Sequence, residues 1–199
     1  MKLPTDKKYN IILADPPWKI GFYTIKGNPR MDPKFRVTPY QGMEIEDIKN
    51  LRVNGRFVKD MADENCALFL WVTYPCLQWG LDVMKTWGFK YKTVAFTWVK
   101  RTRTGNKWFV GLGNYTKANP EYCLLGTKGI MPRESKKVQQ LLIAPMSGHS
   151  KKPYEVHKRI LKLFGDLPRI ELFARTRIPG WDFYGDDSKL KMEPLEAYL

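Results

Sequence analysis

The sequence predicts an α/β fold built on a mainly parallel sheet. Short apolar runs bounded by charges or prolines recur along the chain, and stretches of helical apolar spacing fall between them. No repeat, linker or change of composition divides the 199 residues, a length that suits one domain with a full core, residues 1–199.

The first strand is Ile11-Ile-Leu-Ala14, four apolar residues that read as buried. It stops at Asp15-Pro16-Pro17-Trp18, where neither proline donates a backbone hydrogen bond and each pushes its predecessor toward extended geometry. The result is a rigid hook at the carboxyl end of a strand, where ligands bind in open α/β sheets. Residues 19–40 are rich in Gly, Pro and Lys and lack periodicity, so they read as a long functional loop. Met43–Leu51 is predicted helical, Cys66–Val72 a second buried strand, and Pro75–Trp87 a helix stopped at Gly88. Strands follow at Thr93–Val99, Glu121–Gly126 and Val138–Ile143. Lys152-Pro153 opens a helix to Phe164, with Val156, Ile160, Leu161 and Phe164 on one face. Arg169–Arg175 and Trp181–Tyr184 are the last strands, joined by a turn at Pro179-Gly180, and the tail from Ser188 reads as charged and loose.

The hook offers a carboxylate, carbonyls and an aromatic face. The N6 amine of adenine is a poor nucleophile because its lone pair is delocalised into the ring. Acceptors on its N–H bonds, Asp15 and the Pro16 carbonyl, would pull it toward tetrahedral geometry, while Trp18 stacks on a base withdrawn from its strand. The plain alternative is a proline-rich turn whose Asp15 bonds locally.

A net charge of +14 and a pI near 9.7 point to a polyanionic partner, nucleic acid first and a membrane surface second. Residues 85–120 contain no Asp or Glu but many Lys and Arg, interleaved with Tyr91, Trp98, Trp108, Phe109 and Tyr115. Lysines neutralise phosphates and aromatics stack on bases, which makes Lys100, Arg101, Arg103 and Lys107 the leading nucleic-acid surface. Cys66, Cys76 and Cys123 are odd in number and widely spaced, which argues against a disulfide framework or a zinc site. With only His149 and His157, no metal cluster or His-based triad is expected. No run approaches the ~20 apolar residues of a membrane span and the amino terminus lacks a signal core, so a cytoplasmic protein is expected.

D-P-P-W at 15–18, Pro39-Tyr40, A-L-F-L-W-V-T at 67–73, W-V-K at 98–100, H-S-K-K-P-Y-E at 149–155, E-L-F-A-R at 171–175 and G-W-D-F-Y-G-D at 180–186 occur in one order. Together they resemble the S-adenosylmethionine-dependent adenine-N6 methyltransferases named for the seventy-kilodalton subunit of the eukaryotic mRNA adenosine methyltransferase. The resemblance runs from about Tyr9 to Asp187. It implies a Rossmann-like fold with helices on both faces, the catalytic strand preceding the cofactor strand in sequence. It also implies catalysis at Asp15, Pro16, Pro17 and Trp18, with Tyr40 beside the substrate. By the same resemblance Asp15 also meets the cofactor amino group, Lys152 pairs with its methionine carboxylate, and Glu171 and Arg175 lie by the ribose and methionine. Asp186 and Asp187 would contact ribose and adenine, although eukaryotic members often carry Asn-Gln there. An ion pair of Glu171 with Arg169 or Arg175 is the plain alternative for that strand carboxylate.

Core-only members of this kind resemble bacterial or phage DNA-modification enzymes, which puts DNA ahead of RNA as substrate. A catalytically silent nucleic-acid-binding subunit is the reading from another class. Homodimer and heterodimer stay open.

Overall fold

The computed structural model describes residues 6–19, 42–111, 113, 115–147, 151–185 and 191–192. In chain order it contains β1 (Tyr9–Ala14), α1 (Ile45–Lys49), α2 (Val58–Met61), β2 (Ala62–Val72), α3 (Leu77–Thr86), β3 (Lys90–Arg101), β4 (Glu121–Lys128), β5 (Leu141–Pro145), α4 (Glu155–Phe164), β6 (Arg169–Ala174) and β7 (Asp182–Gly185). Short ladders join Arg52–Val53 to Arg56–Phe57 and Thr176–Arg177 to Lys191–Met192. Asn54 and Gly55, with φ of 50° and 82°, close the first of these, because a two-residue hairpin turn of this kind needs positive φ at both positions.

The seven strands form one sheet in the order β7-β6-β1-β2-β4-β3-β5. All neighbours are parallel except β4, which runs antiparallel to both β2 and β3. The expected mainly parallel α/β sheet is therefore present. The reversal of β4 brings its first residue, Glu121, opposite Trp98 near the end of β3. Glu121 thus lies on the edge where β1 ends in Asp15.

Both faces of the sheet are covered, which is why β1 reads as unbroken apolar sequence. Ile12 and Ala14 pack with Leu68, Leu70, Ile48 of α1 and Val83 and Met84 of α3. Ile11 and Leu13 point the other way, to Phe69, Trp71 and Val156, Ile160 and Phe164 of α4. Ile11, Ile12 and Leu13 are all buried, and full burial stabilises by about 1.5–3 kcal/mol per side chain of this size. Gly126 lets α3 approach β4, since a Cβ there would meet the Met84 sulfur.

Two expectations are corrected. The strand expected at Val138–Ile143 lies at Leu141–Pro145, because pairing with β3 from Thr97↔Leu141 to Arg101↔Pro145 sets its place. Only Leu142 of its first three residues is buried, so the apolar run carried little register information. In the tail expected to be loose, Lys191–Met192 pairs with Thr176–Arg177. The loop expected at 19–40 lies outside the described residues except for Lys19.

Candidate active site

The Asp15–Trp18 hook is fixed from both sides. Asp15 N–H donates to the Leu172 carbonyl of β6 (3.4 Å), and Trp18 N–H donates back to the Pro16 carbonyl (2.9 Å). Met43 N–H donates to Pro17 O (2.7 Å) and Lys19 N–H to Met43 O (3.1 Å), so the chain leaves the sheet tethered to the segment before α1. The Pro16 carbonyl keeps a second lone pair beyond its local turn bond.

Trp18 departs from the sequence reading, in which its face was open to a base. Its side chain packs in the core, 7% exposed, and its Nε1–H donates to the Trp71 carbonyl (3.0 Å). The indole is long enough to reach β2, and burying it satisfies both its apolar body and its single donor. It anchors the hook.

Asp15 is the first member of a buried charge network, and its neighbours were not all foreseen. Lys152, just before α4, donates to both of its oxygens (2.8 and 2.7 Å). Lys152 also meets Glu121 Oε2 at 3.2 Å, and Lys100 donates to Glu121 Oε1. The result is a chain of alternating charge, Asp15–Lys152–Glu121–Lys100, whose four side chains are 11–17% exposed. Trp71 lies 5.4 Å from the Lys152 ammonium, and Trp98 5.2 Å from that of Lys100. Aromatic faces thus wall the cations where water is scarce.

Burial shapes the ionisation of each member. It raises the Asp15 carboxyl above its usual range, Lys152 opposes the rise and the negative Glu121 adds to it. Burial pushes Glu121 the same way, but Lys152 and Lys100 outweigh it and hold that carboxyl low. Desolvation works against the Lys152 cation, yet Asp15 and Glu121 prevail and its pKa is raised. Burial drives the neighbouring Cys123 thiol well up, with Asp15 adding to the effect, so it stays protonated and inert.

Lys100 is accordingly corrected. Sequence adjacency offered it no acid, but Glu121 reaches it across the β3–β4 pair. Glu171 Oε2 shares a hydrogen bond with His157 Nε2 (2.8 Å). His157 is buried between Tyr154, stacked at 5.4 Å, and Trp181, edge-on at 5.1 Å. Arg169 instead pairs with Asp166. Arg175 is exposed just beyond β6, and its charge lowers the Asp15 pKa.

The connection between β3 and β4 carries the other basic candidates. Arg101 stacks its guanidinium 4.5 Å from the Trp108 ring centroid and donates to the Gly105 carbonyl (2.9 Å). Arg103 and Lys107 are exposed. Tyr40, Asp186 and Asp187 lie outside the described residues. No group of metal-binding side chains assembles among the described residues. Glu121 and His157 are the two residues that sequence reasoning missed. A carboxylate directly after Asn119-Pro120 in an acid-free stretch was the one available signal for Glu121.

A strand-end carboxylate matched to a buried lysine thus stands at the carboxyl edge of a mainly parallel sheet, where open α/β folds bind ligands. The MT-A70 family matches residues 9–187, and the chain belongs to that family. It is 34% identical to the type II methyltransferase M.MunI of Mycoplasma sp., over 94% of this chain and 82% of that protein. It is 27% identical to a Drosophila melanogaster N(6)-adenosine-methyltransferase MT-A70-like protein and 25% to the human N(6)-adenosine-methyltransferase catalytic subunit METTL3. Each of those matches covers 90% of this chain, which spans only 27% and 28% of those longer relatives. No helix among the described residues is long and apolar enough to cross a membrane.

Proposed function

We propose that this chain transfers a methyl group from S-adenosylmethionine to the N6 amine of adenine in DNA. The observation that carries the reading is Asp15 held by Lys152 at 2.7 and 2.8 Å, where β1 ends, in a chain of the MT-A70 family. The match over most of both chains to a type II methyltransferase favours DNA, in keeping with a compact modification enzyme. The relatives named for adenosine match over about a quarter of their length and make RNA the second reading.

The residues present suit the cofactor. Its methionine end carries an ammonium and a carboxylate, and Asp15 and Lys152 offer one complement to each. Binding would exchange one buried ion pair for two, so neither partner is left uncompensated. Arg175 stands beside them, and Glu171, steadied by His157, lies three residues before the end of β6. Asp186 and Asp187, just beyond β7, are the further candidates for the nucleoside end. The cofactor would supply an electrophilic methyl on a sulfonium, and the chain must make the substrate's N6 amine a competent nucleophile.

Asp15 and the free lone pair of the Pro16 carbonyl would accept the two N6–H bonds, localising the nitrogen lone pair for attack on the methyl carbon. With the methyl group that the cofactor would supply, and with its sulfur leaving as a neutral thioether, the amine would become cationic and have to give up a proton. A carboxylate made more basic by burial, as Asp15 is, accepts it readily. Pro17 and Trp18 hold this hook in place, through Met43 and Trp71 respectively.

The test is methyl transfer from labelled S-adenosylmethionine to matched single-stranded DNA, duplex DNA and RNA, followed by identification of the labelled base. Label in N6-methyladenine of DNA is expected. Asp15→Asn should lower the rate on the order of 10²–10³-fold, the usual cost of removing a preorganised group. Label in RNA alone would establish the second reading, and none in any polymer would leave a silent binding subunit.

A further inference from the structure

Beside the charge network, the loop joining β3 to β4 forms a separate, open pocket of about 350 Å³. That volume is at the low end of the roughly 300–1,000 Å³ common for small-ligand sites. Val99, Phe109, Ala118 and Pro120 form its apolar walls, Trp108 one side, and Lys117 stands on it. We propose that this pocket holds one unstacked nucleobase of the bound polynucleotide, a neighbour of the adenine presented to Asp15. The proposal rests on the nucleic-acid reading above and adds a base-binding subsite to it.

The pocket is constructed rather than a gap between loose ends. Arg101 bridges to Trp108 and Gly111 to Ala118, giving the loop its own short ladder. The Asn119 side chain accepts from Lys100 N–H (2.8 Å) and donates to the Lys100 carbonyl (3.0 Å) and to the Phe109 carbonyl. This clamp ties the pocket to the active-site edge. Lys100, held by Asn119, sends its ammonium to Glu121, while the next residue, Arg101, stacks on Trp108 at the pocket. Pro120 of the pocket wall directly precedes Glu121. The two sites are therefore consecutive along both strands.

The chemistry favours a base over an aliphatic side chain. Trp108 is 53% exposed although it lines an apolar cavity, so it offers a flat face without being consumed by the core. Every base has a π-face to lay on such a ring. Lys117 lines the pocket and Arg101 stacks on Trp108, while Arg103 and Lys107 are exposed on the same loop, with no Asp or Glu from residue 102 to 120. A nucleotide brings a phosphate on each side of its base, which this rim would neutralise. A protein partner would need an acidic border around its apolar residue.

The test compares thymidine tetranucleotide with an abasic tetranucleotide of equal charge, bound to wild type, Trp108→Ala and Ala118→Leu. Wild type should prefer the thymidine form about 5- to 150-fold, the value of stacking one base. Both variants should lose that preference while binding the abasic form as wild type does. Trp108 is half-exposed and the leucine fills the cavity without altering charge, so thermal melts should stay near wild type. Equal binding of the two oligonucleotides by wild type overturns the proposal, as does preference retained in Ala118→Leu. A change in the solution oligomeric mass of the variants without loss of base preference would assign the pocket to a protein contact instead. Methyl transfer by wild type, measured in parallel, separates the two levels. Transfer without base preference removes the pocket and leaves the enzyme, whereas base preference without transfer does the reverse.

Discussion

Lys100 and Arg101 are adjacent in sequence and belong to two regions that use positive charge in opposite ways. Lys100 ends in the buried network, where each lysine meets a carboxylate and an indole. Arg101 opens the loop between β3 and β4, where Arg103, Lys107 and Lys117 face solvent and the sequence supplies no acid. Buried charge is tolerated only when matched, so the network's cations are committed to holding Asp15 and Glu121. Exposed cations in water cost little to leave unmatched, and phosphates can claim them. One strand thus delivers a buried, matched charge and a charge directed to the exposed loop in consecutive residues, separated by the alternation of side chains across the sheet.

The largest expected effect breaks this contrast at its centre. Glu121→Ala would leave Lys100 without its carboxylate and take from Lys152 one of the two acids it pairs with. Removing one partner of a buried pair typically costs about 3–5 kcal/mol, so urea unfolding should show a loss of that size. Glu121→Gln keeps the shape and isolates the charge. Because the Glu121 carboxyl is held low in the fold, its contribution to stability is present above the ordinary carboxylate pKa and disappears as pH falls through the lowered value. That acid-side loss should be missing in Glu121→Gln. Catalysis should respond in the other direction. Glu121 helps raise Asp15, so its neutralisation should move the acid limb of kcat/KM to lower pH. An acid limb that stays put, with stability unchanged, would mean that the two carboxyls do not communicate.

The sequence made the strands legible more readily than this network. Ile11–Ala14 and the 66–72 run are apolar on both faces and Arg169–Ala174 buries alternate residues, patterns that survive without knowledge of their neighbours. The hook was legible because two prolines restrict their own backbone. Glu121 was not, since its partners Lys100 and Lys152 reach it only through the reversed β4 and the start of α4. His157 was set aside for want of a triad, and its partner Glu171 lies on a different element. Trp18 shows the converse limit. A tryptophan beside a catalytic carboxylate reads as a stacking surface, but its neighbour Trp71 supplies a carbonyl that turns it inward.

Trp18 and Trp108 carry the comparison into the aromatic residues, with an intermediate effect. Trp18→Phe keeps a ring in the core but leaves the Trp71 carbonyl without the indole donor. An unsatisfied buried acceptor costs about 1–3 kcal/mol, a loss that thermal unfolding should register. The KM for nucleic acid should change little, because the ring does not face solvent. A raised KM with unchanged stability would return Trp18 to the role of base-stacking surface.

The smallest effect on the fold is expected from neutralising Arg103 and Lys107 together as glutamines. Both are exposed, and surface substitutions of this kind usually stay within about 0.5 kcal/mol of wild type in stability. Nucleic-acid binding should nevertheless reveal them. Each phosphate contact contributes about 0.7–0.9 to the slope of log affinity against log salt, so removing two should flatten it by about 1.4–1.8. Unrelated sequences should weaken equally, since phosphate contacts carry no base information. Affinity for S-adenosylmethionine should hold, because the Asp15–Lys152 pair does not depend on the exposed part of the loop. The experiment divides the two regions cleanly if the slope changes while cofactor affinity and stability do not. A slope that remains at the wild-type value would place the phosphates elsewhere on the surface and leave Arg103 and Lys107 as cations that merely keep the loop in solvent.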